Sequence, residues 1–287
     1  MNDIASIPAL IPAFCGVSGL ALLAYISASP RVAEALYLKD MFEPVAYPGG
    51  AYDDHILEGV RAQDIYFSND KGQKMHGWYF HLAGADKTIL LSHGSAGNIA
   101  DLQILLSLLL RSNCSVFAYD YRGFGRSQGK PTVNGVCEDA VYAFDFLVNE
   151  LKVPAEKIVL YGESVGGAVA CQLATKRPCK GLILQSAFKS LRQAAIDMFP
   201  PLVIYPTALF PKPFMHSADI LAKHKFPVLI LHGAKDNNIK PKHAIGLMQK
   251  AQGPKKLVFL PHTVHEDIAE ADWDLFTREI KEYLQTI

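Results

Sequence analysis

The chain has no net charge: 28 basic residues balance 28 acidic ones over 287 positions. That balance leaves no basic footprint for nucleic acid or another acidic polymer, so nucleic acid is not an expected partner. Cysteine is scarce. The five present, Cys15, Cys114, Cys137, Cys171 and Cys179, form no CxxC pair and no Cys/His spacing of the zinc kind. This excludes a disulfide framework and a zinc finger, and fits thiols packed in a reducing compartment. Internal repeats and low-complexity tracts are missing too. With half of its residues hydrophobic and a fifth charged, the chain cannot be disordered or collagen-like. Its length suits one large α/β domain or two small ones around a substantial core.

Charge is also missing locally. Between Asp3 and Arg31 lie 27 residues without a charged side chain, and about 20 apolar residues in a helix span the hydrocarbon of a bilayer. Residues 1–36 are therefore expected to be a hydrophobic anchor and linker, with residues 37–287 as the folded domain. Pro8, Pro12, Gly16 and Gly19 weaken the first half as a regular helix, which leaves open a bent span, a monotopic insertion or a buried core helix. A cleaved signal, giving a secreted or periplasmic protein, is the rival reading, although no Lys or Arg precedes the segment to form a basic n-region. Arg31 and Lys39 follow it, so the positive-inside rule places the folded domain in the cytoplasm.

From about residue 60, short β-branched runs alternate with longer amphipathic stretches. The alternation predicts an α/β domain, a mostly parallel eight-stranded sheet with helices on both faces. Residues 61–67 and 74–81 read as an antiparallel pair around the turn Asn69-Asp70-Lys71-Gly72. Residues 88–92, 116–119, 157–161, 181–185, 227–231 and 256–260 read as buried strands. Helices are expected at 100–112, 134–151, 164–176, 242–251 and 267–285. Residues 190–224 break the rhythm. They are too long for a plain connection and too rich in proline and phenylalanine for a linker, and read as a small apolar lid insert.

The chemistry sits at strand ends. Gly162-Glu163-Ser164-Val165-Gly166-Gly167 places GxSxG between a strand and a helix, the context of a nucleophile elbow. The residues two before and two after the serine must be nearly free of side chain, and the helix amides behind it favour developing negative charge. A serine needs a base, and the base needs an orienting acid. Asp236 follows the strand at 227–231. His262 and His265 follow the last strand, and His265 is preferred because it lies directly before the final helix, with Glu266 and Asp267 in its first turn. Asp267 is the rival acid. The oxyanion requires two amides: Val165, next after the serine, and Ser95, in the loop His93-Gly94-Ser95-Ala96-Gly97-Asn98. The other histidines, His93 and His232 among them, read as turn or surface residues.

These motifs, together with the run 119–127 (YDYRGFGRS), resemble an α/β-hydrolase superfamily serine hydrolase, similar to the membrane-anchored α/β-hydrolase-domain proteins and their bacterial relatives. The resemblance covers residues 60–287 and implies the α/β-hydrolase fold, with Asp120 and Arg122 in structural roles beside the oxyanion turn. Two positions depart from the pattern: Lys240 stands where relatives have proline, which here is Pro241, and Val264 stands where relatives often have glycine.

The expected reaction is hydrolysis of an ester-type bond, whether carboxylester, lipid or thioester, through an acyl-enzyme on Ser164, without metal or organic cofactor. A serine peptidase of the same fold and a non-catalytic binding protein are the alternatives. Met198, Phe199, Leu202, Ile204, Tyr205, Leu209, Phe210, Phe214 and Met215 suit a cover over a hydrophobic ester or acyl substrate. They suit the core of a cap equally well.

Overall fold

The computed structural model describes residues 10–47, 55–265 and 267–287, with side chains from residue 19 onward. Eleven strands are found among these residues: β1 (Glu43–Pro44), β2 (Ile56–Leu57), β3 (Val60–Ser68), β4 (Lys74–Phe80), β5 (Thr88–Ser92), β6 (Ala96–Gly97), β7 (Ser115–Asp120), β8 (Ile158–Glu163), β9 (Gly181–Gln185), β10 (Val228–Gly233) and β11 (Lys255–Leu260). Nine form one sheet in the order β11-β10-β9-β8-β5-β7-β4-β3-β2, while β1 and β6 pair separately. The eight expected strands are all present. The ninth, β2, is a two-residue edge too short to show a pattern. β3 pairs antiparallel with β4 and β4 with β7, and the pairs from β7 through β11 are parallel. In the turn between β3 and β4, the Asn69 side chain accepts from Lys71 N at 3.0 Å and from Gln73 N at 2.9 Å, closing the loop in the manner of an Asx turn.

The helices are α1 (Leu10–Ser27), α2 (Glu34–Met41), α3 (Gln103–Arg111), α4 (Val133–Asn149), α5 (Val165–Ala174), α6 (Leu191–Met198), α7 (Ser217–Lys223), α8 (Lys242–Lys250) and α9 (Trp273–Thr286). The central strands are buried along their whole length, because helices cover both faces and no residue can face water. Side chains of α4, α5, α7 and α8 pack into one apolar cluster and those of α3 and α9 into another. The chain order reverses between β5 and β8. In such sheets ligands bind beyond the carboxyl ends of the strands at that reversal.

Two expectations, a membrane-crossing helix and a last helix from residue 267, are not met. Among the described residues, no helix is long and apolar enough to cross a membrane; residues 1–9 lie outside the described part. The end of α1 and the stretch after it are docked on the folded domain. Ser29 is fully buried, Arg31 N donates to Leu209 O at 2.9 Å and Tyr25 stacks on Tyr205 with ring centroids 4.9 Å apart. Aromatic area and unpaired backbone groups explain the docking: the Tyr25 hydroxyl donates to Ile204 O at 2.7 Å, so its burial leaves no polar group orphaned. The last helix starts late, at Trp273, because the Asp272 carboxylate accepts from His262 N and Thr263 N, each at 2.8 Å. That ties Asp272 to the preceding loop. Asp267 is exposed, outside any helix.

The connection from β9 to β10 contains α6, two short 3-10 turns at Pro200–Ile204 and Thr207–Leu209, and α7. Leu202, Tyr205 and Phe210 form a small buried cluster of their own, with Tyr25, Tyr37 and Leu209 packed on it. Met215 joins the main core, whereas Met198, Phe199 and Ile204 face solvent. The apolar residues of the connection are thus divided between its own core and its surface.

Candidate active site

Ser164 stands between the last residue of β8 and the first of α5 with φ +53° and ψ −116°, a strained left-handed value that lifts the side chain off the strand axis. The tight turn explains the flanking glycines. A Cβ on Gly162 would lie 2.2 Å from Gly166 O, and one on Gly166 would lie 2.0 Å from Ser92 O. The elbow therefore packs directly on the end of β5, where the His93–Asn98 loop begins. Ser164 N donates to Gln185 O at 2.9 Å, which secures the turn to β9.

The three side chains expected to act together do meet. The Ser164 hydroxyl lies 2.9 Å from His265 Nε2, and His265 Nδ1 lies 2.7 Å from Asp236 Oδ2. Asp236 is 2% exposed, and its Oδ1 accepts from Asn238 N at 3.0 Å and Ile239 N at 2.9 Å. Donors to both oxygens offset the desolvation of a buried carboxylate. His262 is directed elsewhere: its Nδ1 lies 2.9 Å from Asp272 Oδ1. The structure thus brings His265 and Asp236 together with Ser164, whereas His262 meets Asp272 and Asp267 is exposed. The two loops are also tied together, by Ala234 N donating to Leu260 O at 2.9 Å and Lys235 N to Thr263 O at 3.1 Å.

Val165 opens α5, so its amide belongs to the first turn, whose N–H groups have no intrahelical acceptor. Ser95 lies in the loop after β5, and its carbonyl accepts from Glu43 N at 2.9 Å. Val45 N donates to Gly97 O at 3.1 Å, and Asn98 Nδ2 donates to Val45 O at 3.2 Å. The strand β1 and the residue after it therefore wall the loop from outside. Asp120 Oδ1 accepts from Ile99 N at 2.9 Å. Arg122 forms a fork with Asp139, at 3.0 Å from Nε and 2.7 Å from Nη2. Both residues hold loops in place.

Several contributors were not legible in the sequence. His93 is buried, donates from Nδ1 to Gly94 O at 2.8 Å and accepts at its own carbonyl from Tyr121 at 3.0 Å. His232 is fully buried beside Asp236, with Nε2 3.4 Å from Oδ2. The Ser186 hydroxyl donates to His265 O. Beneath the elbow, Tyr161 donates to Gln185 and Gln185 to Glu163, all of them buried. A signal existed for His232, which sits four residues before the acid and immediately after a strand core. For Ser186 there was none.

Four of the five thiols are described. Cys114, Cys137 and Cys171 are buried and Cys179 is partly so. Burial pushes Cys137 and Cys171 up to about 12 and Cys179 up to about 11, so they stay protonated and unreactive. The side chain of Cys15 lies outside the described part. Among the described residues, no group of three or more His, Cys, Asp or Glu could hold a metal ion. A cavity of about 280 Å³ opens at the foot of the β9–β10 connection, lined by Lys189, Ser190, Arg192 and His216 among others.

Residues 83–217 match the family model for serine aminopeptidase, S33. The Salmonella typhimurium protein YfhR is 30% identical over 256 residues, covering 82% of this chain and 86% of that protein. The Arabidopsis thaliana α/β hydrolase domain-containing protein WAV2 is 29% identical over 241 residues, 78% of each chain. Among solved structures, an esterase of Pyrococcus furiosus, Pf2001, superposes with TM-score 0.69 at 19% identity, covering 86% of this chain and 97% of that one. Sequence relatives and fold agree, and the chain belongs to the α/β-hydrolase superfamily of hydrolases.

Proposed function

We propose that the protein is a serine hydrolase that cleaves an ester-type bond by way of an acyl-enzyme. The observation that carries this reading is the unbroken chain from Ser164 Oγ to His265 Nε2, 2.9 Å, and from His265 Nδ1 to Asp236 Oδ2, 2.7 Å. His265 takes the Ser164 proton as the oxygen attacks the carbonyl. Asp236 fixes the ring orientation and stabilises the imidazolium that results. The amides of Val165 and Ser95 receive the oxyanion. His265 then protonates the leaving alcohol or thiol, and water repeats the sequence to free the acid and regenerate Ser164.

The substrate in this reading carries a hydrophobic acyl chain. Support comes from the β9–β10 connection, a cap whose Met198, Phe199, Val203 and Ile204 are each 58–66% exposed. Leu20, Leu22 and Leu23 of α1 are exposed to a similar degree. The Tyr25–Tyr205 stack joins helix and cap, and exposed apolar side chains on both are of a kind that sits on lipid without crossing it. A serine peptidase is the second reading, favoured by the description of the matching family model.

The test is fluorophosphonate labelling of the full chain, with the Ser164→Ala variant as control. Labelling of the native protein and its loss in the variant are expected; equal labelling of both would end the serine-nucleophile reading. Turnover of p-nitrophenyl esters against aminoacyl p-nitroanilides then separates esterase from peptidase.

A further inference from the structure

A second imidazole lies against the acid of the proposed triad. His232, in β10, is fully buried. Its Nε2 lies 2.7 Å from Ile239 O and 3.4 Å from Asp236 Oδ2. A carbonyl can only accept, so the Nε2 proton points at Ile239 O and leans toward the carboxylate. The opposite nitrogen, Nδ1, is buried without a hydrogen-bond partner. Protonating it would create a buried, unsatisfied N–H next to apolar groups, which is costly. The ring is therefore held in one tautomer and kept neutral, and burial pushes its pKa below the ordinary value. The titratable groups that act on it are Asp236 and His265. The ring of Phe259 on β11 meets it edge-on, with centroids 6.5 Å apart.

The backbone of Ile239 connects the two side chains. Its N–H donates to Asp236 Oδ1 at 2.9 Å, and its carbonyl accepts from His232. Rotation of the Asp236 carboxylate would have to break Asn238 N, Ile239 N and His265 contacts together. It would do so against a peptide segment that His232 pins in place.

We propose that His232 is a positioning residue: a neutral imidazole that clamps the 236–239 turn and presents an N–H edge to Oδ2, leaving the full carboxylate charge to His265. A cation at this place would compete with the His265 imidazolium for the same oxygen, which is why neutrality matters. The inference rests on the triad reading for its effect on rate, and on the geometry alone for its effect on the His265–Asp236 hydrogen bond.

The experiment compares full-length native protein with His232→Phe, which keeps a ring without a donor, and His232→Gln, which keeps a donor. Three properties are measured: p-nitrophenyl butyrate kinetics from about pH 5 to about pH 9, the downfield proton resonance of His265 Nδ1–H, and thermal melting. For His232→Phe, kcat is expected to fall roughly 10- to 100-fold with little change in KM. The acid limb of kcat/KM should move and the His265 resonance shift upfield and exchange faster. His232→Gln should recover most of each. An unchanged resonance and pH profile in His232→Phe would overturn the proposal. So would losses in both variants that merely follow their melting temperatures. The resonance is read without turnover, so a native protein that hydrolyses no ester would defeat the hydrolase reading while leaving this inference tested.

Discussion

The Ser186 hydroxyl donates to the His265 carbonyl at 2.6 Å. Ser186 sits just past β9 with φ +47°, and its amide donates to Leu231 O at 2.9 Å. The loop that carries His265 is thus fastened by its backbone to the centre of the sheet, independently of the imidazole's own bonds. Ser186→Ala is expected to lower kcat about tenfold by loosening the ring, while costing about 1 kcal/mol of stability. Steady-state kinetics beside a urea melt would show it, and a variant with native kcat would deny Ser186 any part in positioning.

Asp236→Asn should preserve the fold and lower kcat by about 10⁴, because an amide can hold His265 in the wrong tautomer. Fluorophosphonate labelling rates provide the measurement. A variant that labels as fast as the native chain would remove Asp236 from the triad.

Asp139 and Arg122 are a buried pair, with Asp139 fully buried and Arg122 only 7% exposed. Asp139→Ala strands the guanidinium, leaving it Glu138 at 3.1 Å, and should destabilise the protein by about 3–5 kcal/mol. A chemical melt showing less than about 1 kcal/mol would place the pair among weak surface bridges.

Burial is the first cause holding His93, His232 and His243 below their ordinary pKa of 6.5. The unfolded chain takes up protons near that value, whereas the folded chain resists them. Their contribution is therefore complete above about pH 6.5 and is lost as the pH falls toward the lower folded values. Melting temperature should decline as pH drops from about 7 to about 5. A flat profile over that window would contradict the burial of these rings.

The exposed apolar side chains of α1 and the cap carry a separate prediction. Replacing Leu20 and Leu23, or Phe199 and Ile204, in pairs by glutamine should weaken co-sedimentation with phosphatidylglycerol vesicles by roughly tenfold per pair. Melting should be unaffected, because all four side chains are already exposed. Undiminished vesicle binding in both paired variants would refute a lipid contact.

Much of this architecture can be read from the sequence, because buried parallel strands are short apolar runs and the candidate site residues follow them directly. Ser164, Asp236 and His265 each come just after such a run. The strain at Ser164 is announced by Gly162 and Gly166, whose hydrogen atoms are all the space permits. The late start of α9 is a different matter. Asp267 looks like a helix cap, but Asp272 binds His262 and Thr263 and delays the helix, a competition between two carboxylates that spacing does not reveal. Ser186 bonds a backbone carbonyl 79 positions along the chain, which leaves no residue pattern, and His232 shows only by its place four residues before Asp236. For the uncharged stretch before Arg31, charge-free length alone does not distinguish a span from a helix docked by Tyr25 at its end.

The parallel pairing of Glu43 and Pro44 with Ala96 and Gly97 bears on what counts as a minimal form of this enzyme. The family match begins at residue 83, and the recognisable motifs begin only a little later. A protein trimmed to begin there would keep Ser164, Asp236 and His265 yet lose the wall behind Ser95. The loop at 93–98 would then have to find its shape unaided. Weak activity from such a fragment would say little about the reaction the whole chain performs.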